Sequence, residues 1–89
     1  MGKIEIARRQ GYDLTSEDVL ILYHAWIKGD YWSVTDDVPS IAFPTAGIVC
    51  RILKLTDDGL LEFEPEHNER VRLSSDGQCL VQNFFNASN

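Results

Sequence analysis

Cysteine and histidine are scarce in this chain, two of each in 89 residues, and their positions exclude most of what they could build. Cys50 and Cys79 cannot form the multi-bridge framework of a small secreted domain, and with no export signal they read as reduced thiols filling space. His24 and His67 stand far apart, and the four residues lack the paired spacings of a zinc site, so no metal and no cofactor is expected. No apolar run approaches the ~18 residues of a membrane span. The start, Met1-Gly2-Lys3-Ile4-Glu5-Ile6, carries an acid where a signal peptide has its apolar stretch, and position 6 is not the Ser or Thr of a myristoylation signal. The expectation is a cytoplasmic protein. Catalytic signatures are missing too: there is no Ser-His-acid set, no Gly-rich phosphate loop and no HExxH, so no enzyme is expected.

Positive charge is also in short supply. Eight Lys and Arg face fourteen Asp and Glu, a net charge of −6, which points away from nucleic acid as a partner. The deficit is uneven. Residues 56–69 hold six carboxylates and no Lys or Arg. Cations outnumber acids only in the N-terminal stretch (Lys3, Arg8, Arg9), in residues 44–55 (Arg51, Lys54) and after residue 69 (Arg70, Arg72).

What is present is enough for one small core. Residues 1–14 read as an arm in which 3–6 suits a short strand and 7–10 a helix, with Gly11 breaking either. A helix is predicted from Ser16 to Lys28. Thr15 or Ser16 caps it, Glu17 and Asp18 suit its positive end, and Gly29 stops it. Val19, Leu22, Tyr23, Trp26 and Ile27 share one face, and Leu20 and Ile21 widen it. Tyr31 to Val34 is a short extended piece. Thr35 opens a second helix ending near Ala42, with Asp36 and Asp37 in its first turn and Pro39 early enough to be tolerated. Phe43-Pro44 makes a turn into a third helix from about Thr45 to Thr56, closed by Gly59. Leu60–Glu64 and Glu69–Leu73 alternate as two strands about a turn at residues 65–68. After Ser74 or Ser75, residues to 86 suit a helix with Leu80, Val81, Phe84 and Phe85 on one face. The alternative is a third strand after an Asp76-Gly77 turn. The domain is read as 15–86, with 87–89 a frayed tail.

The run Pro44-Thr45-Ala46-Gly47-Ile48-Val49-Cys50-Arg51-Ile52-Leu53-Lys54-Leu55, followed by Asp57-Asp58-Gly59-Leu60-Leu61-Glu62, resembles the recognition helix and strand entry of winged helix-turn-helix regulators of the MarR and PadR type. Arg70-Val71-Arg72-Leu73-Ser74-Ser75-Asp76-Gly77 resembles the second wing strand and the start of the next helix, where that family has Leu-Thr-x-x-Gly. The resemblance covers roughly residues 16–85. It implies a mainly α fold with a β-hairpin wing and a nucleic-acid-binding third helix.

From spacing alone, Ile48, Ile52 and Leu55 point inward, with Val49 and Leu53 beside them. The other face holds Ala46, Gly47, Cys50, Arg51, Lys54 and Asp58. Arg51 can make bidentate contacts to guanine and Lys54 can serve a phosphate; equally, both suit the solvated face of an amphipathic helix. The DNA-binding candidates are thus Thr45, Ala46, Gly47, Cys50, Arg51 and Lys54, with Arg8 and Arg9 of the arm and Arg70 and Arg72 of the wing. Duplex DNA, bound by a homodimer that doubles the cations, is the first expected partner. A basic protein surface is the second, met by Asp36, Asp37, Glu62, Glu64, Glu66 and Glu69.

Overall fold

The computed structural model describes residues 2–34 and 45–87. The helix expected from Thr35 to Ala42, with Asp36, Asp37 and Pro39, and the Phe43-Pro44 turn lie outside the described residues. The elements are α1 (Lys3–Arg9), α2 (Ser16–Lys28), β1 (Trp32–Ser33), α3 (Thr45–Asp57), β2 (Leu61–Glu64), β3 (His67–Leu73) and α4 (Ser75–Ala87).

The segment expected to be an arm is a helix packed on the domain. Ile6 and Ala7 of α1 are buried in the same core as α2 and α4, and the chain leaves α1 through Gly11 at φ +93°. The strand reading of residues 3–6 therefore gives way to a helix, whose apolar side gains more from burial on α2 and α4 than a lone edge strand could.

α2 starts at a capping box. Thr15 Oγ1 accepts from the Asp18 N–H at 3.3 Å, and Asp18 Oδ2 accepts from the Thr15 N–H at 2.9 Å. Gly29, at φ +74°, ends the helix in the left-handed conformation. The span is as expected, but the buried face differs. Asp18, Val19, Ile21, Leu22 and Ala25 are buried, Tyr23 and Trp26 are half-buried, and Ile27 is 80% exposed. Residues 18, 21, 22 and 25 follow helical spacing, so α2 is rotated relative to the 19-22-23-26-27 stripe. A helix apolar on nearly every side does not fix its own rotation; small Ala25 lets this side approach its neighbours closely.

α3 keeps the expected register. Ile48, Ile52 and Leu55 are buried, whereas Leu53, expected beside them, is about half-exposed. Leu55 C=O accepts the Leu60 N–H at 3.0 Å, and Gly59 at φ +81° lets the chain reverse into β2. The sheet has the order β1-β3-β2, all antiparallel. Leu61 faces Leu73 and Phe63 faces Val71 on the buried side, while Glu62 faces Arg72 on the outer side. Trp32 pairs with Val71 and is almost fully buried at 2% exposure.

Residues 75–87 form a helix, which settles the helix-or-strand alternative. Leu80, Val81 and Phe84 enter the core; Phe85 stays half-exposed against the rings of Tyr23 and Trp26. Gly77 is where α4 touches the base of the hairpin. A Cβ there would stand 2.1 Å from the Leu60 carbonyl oxygen, so the third residue of α4 must be glycine for this approach.

Candidate nucleic-acid interface

α3 offers two kinds of surface. Its outward stripe is Gly47, Cys50, Leu53 and Asp57, all exposed and with no cation among them. Its cations sit on the flank turned toward the start of α2. There Arg51 Nη1 and Lys54 Nζ each stand 3.9 Å from Asp18 Oδ2. Lys54 Nζ also donates to the Asp13 carbonyl. The two cationic side chains are 40% and 41% exposed, while Asp18 is fully buried. Thr45 and Ala46 open the helix; their side chains are outside what is described.

The wing carries its own neutralisation. Arg72 Nε donates to Glu62 Oε1 at 2.7 Å, and the guanidinium lies 4.4 Å from the centre of the Tyr31 ring. Arg70 Nη1 meets Glu64 Oε2 at 2.9 Å, and its Nη2 donates to the Tyr31 carbonyl at 3.3 Å. Glu62 first, through this hydrogen bond, raises the Arg72 guanidinium above its ordinary value. The hairpin turns at Pro65-Glu66, with Glu66 at φ +71°, and Glu66 and Glu69 are exposed. His67 Nδ1 lies 3.9 Å from Glu69 Oε1.

These pairs differ in what it takes to break them. Both partners of the Arg72–Glu62 pair reach solvent, and such a pair is worth about 0–1 kcal/mol, so a phosphate can replace Glu62 at little cost; Glu64 is more enclosed, and the oxygen that meets Arg70 is buried. Asp18 cannot turn to water. Withdrawing both cations would leave a buried charge without a partner, which costs more than breaking a pair on the wing. The charge on α3 is therefore held in place and the charge on the wing is movable.

Sequence reasoning placed Arg51 and Lys54 correctly on one side of α3 but missed Asp18, which it took as a helix-dipole partner, and Tyr31. The signal available for Asp18 was the Thr15-x-x-Asp18 capping pattern. Beside it, Glu17 is held below the usual carboxylate range, chiefly by a hydrogen bond to its own backbone N–H, then by Thr15, with Arg51 adding a smaller pull. Arg8 and Arg9 lie exposed in the last turn of α1.

Helices packed on a three-stranded antiparallel sheet, with a β2–β3 hairpin after a cation-bearing helix, define an α+β winged helix. The chain is similar to a solved structure of Bordetella bronchiseptica BpsR, whose DNA binding is regulated by 6-hydroxynicotinic acid. The TM-score is 0.67 and the identity 25%, over 93% of this chain and 67% of that one. The likeness supports a regulator-type winged helix. No family model matches the chain, and no curated protein matches it. Among the described residues, no helix is long and apolar enough to cross a membrane.

Proposed function

We propose that this domain is a DNA-binding, transcription-regulator-like winged helix that lays α3 against a duplex and lets the wing follow the backbone. The observation that carries it is the half-exposed Arg51–Lys54 pair on α3, in a fold shared with a DNA-binding regulator. Two phosphate contacts per protomer give a salt slope of only about −2, and a dimer about −4. Binding is therefore weak per protomer, and a homodimer on a two-fold operator is the natural working form. Arg70 and Arg72 join when phosphate takes the place of Glu64 and Glu62. The test is fluorescence polarisation with random duplex DNA at low salt, followed by a salt titration. No binding at micromolar protein would end this reading.

One observation favours a second reading. The outward stripe of α3 holds no cation and ends in Asp57, and Asp58, Glu66 and Glu69 are exposed as well. In this reading the same face binds a basic protein surface, steered by those carboxylates together with Glu62 and Glu64 and, from the sequence, Asp36 and Asp37. A pull-down on immobilised domain that yields a basic partner, together with no duplex binding, would select it.

A further inference from the structure

Asp18 is the one fully buried charged side chain among the described residues. Its place in the capping box accounts for one oxygen: Oδ2 takes the Thr15 N–H. Its Oδ1 meets no donor among the described residues. Capping alone does not call for burial under two cations, since an acid at this helix position normally reaches solvent while it caps. Here Arg51 and Lys54, three residues apart on one side of α3, both converge on the same carboxylate at 3.9 Å. Lys54 is tied down a second time by the Asp13 carbonyl, so the 13–18 stretch grips it at two points. Without these contacts, either long side chain could swing over Gly47 or Cys50, which offer no bulk to stop it.

We propose that Asp18 is a positioning residue for the α3 interface: it draws Arg51 and Lys54 onto the flank beside α2, where they meet phosphate, and keeps the Gly47-Cys50-Leu53 stripe clear for the groove. This rests on the DNA-binding reading above. The division of labour follows from charge and shape. Phosphate contacts set register and carry no sequence information, while a small, partly apolar stripe reads the groove by close approach and by contact with thymine methyl groups. Asp18 also sets how much positive charge the duplex meets, because its single negative charge offsets part of the two cations.

The test compares wild type with Asp18→Asn, which keeps an acceptor for the Thr15 N–H but removes the charge. Two probes are used: a duplex selected from a random pool by the wild-type protein, and a shuffled duplex of equal composition. The expected result is tighter binding to the shuffled duplex and a salt slope steeper by about one unit. The ratio of the two affinities should fall about tenfold, as freed cations crowd the stripe. Asp18→Glu, which restores the charge, should return the salt slope to the wild-type value. A folded Asp18→Asn variant with unchanged slope and unchanged ratio would reduce Asp18 to a helix cap and overturn the proposal.

A second arm needs no DNA and still decides if Asp18→Asn does not fold. Arg51→Met and Lys54→Met should each lower Tm by about 4 °C or more, since each leaves the buried carboxylate short of a partner. If both leave Tm unchanged, the cations are a solvated face and Asp18 positions nothing. Should the wild type bind no duplex while both Met variants lose stability, the DNA-binding reading fails and the hold of Asp18 on the two cations stands.

Discussion

Replacing Gly77 by Ala tests how α4 is seated on the wing, and it tests the sign of the effect as well as its size. In an open helix position, Gly→Ala stabilises by about 0.5–1 kcal/mol, because glycine gives up more backbone freedom on folding. At Gly77 the new Cβ would stand 2.1 Å from Leu60 O and 2.9 Å from Leu73 Cδ2. A leucine tip can turn aside, but the Leu60 carbonyl is backbone and accepts the Ser74 N–H at 3.0 Å. Making room therefore combines overpacking, about 1–3 kcal/mol, with a weakened hydrogen bond of about 1 kcal/mol. The net loss after the propensity gain is about 1–3.5 kcal/mol. For a domain of this length that is a large share of the roughly 4–13 kcal/mol expected in total. In a thermal melt it corresponds to a drop of roughly 5–25 °C. Gly47→Ala is the control: among the described residues nothing stands within 4 Å of a Cβ placed there, and Gly47 is exposed on α3, so Tm should rise by a few degrees. Equal shifts for the two variants, or a rise at Gly77, would refute the seating of α4 described above.

Trp32→Ala should cost about 3–5 kcal/mol in denaturant unfolding, whereas half-buried Trp26→Ala should cost about 1–2 kcal/mol; the reverse order would contradict the rotation of α2. Lys54→Ala should weaken binding to all duplexes alike and lower the salt slope by about one unit, measured by polarisation at several salt concentrations. Exchanging Glu64 and Glu66 together for Gln should change stability by only about 1 kcal/mol, because Gln keeps an acceptor for Arg70, whose own side chain is half-exposed, and Glu66 is exposed. The same change should tighten DNA binding, as Arg70 is released, and should slow association with a basic protein partner; stopped-flow kinetics at two ionic strengths distinguishes the two.

The elements whose residues decide their own geometry were legible in the sequence. In α3, Ile48, Ile52 and Leu55 recur at helical spacing and all three are buried, although Leu53, expected beside them, is half-exposed. The hairpin was equally plain, since Val71 and Leu73 alternate with Arg70 and Arg72. The rotation of α2 was not, because Val19 to Tyr23 is apolar throughout and only its packing partners choose among the faces. Nor was the docking of α1, where two small contacts, Ile6 and Ala7, outweigh a charged sequence. For the candidate site, the sequence placed Arg51 and Lys54 on a common side of α3. It could not show that Asp18, more than thirty residues earlier, lies beneath them, because that proximity is made by the packing of α2 on α3. The Glu62–Arg72 pair depends on strand register, which alternation alone leaves open by steps of two residues.

Among the described residues, the strand order β1-β3-β2 leaves β2 as an edge strand with a partner on one side only. Such edges are where folded proteins begin to aggregate, and this one is guarded in several ways. It is only four residues long, it ends at Pro65, and two of its four side chains are Glu62 and Glu64. The acids that handicap the wing as a phosphate clamp thus act as gatekeepers against edge-to-edge stacking. The protection rests on charge and shortness together, so exchanging both glutamates for apolar residues would turn the hairpin from self-avoiding to adhesive.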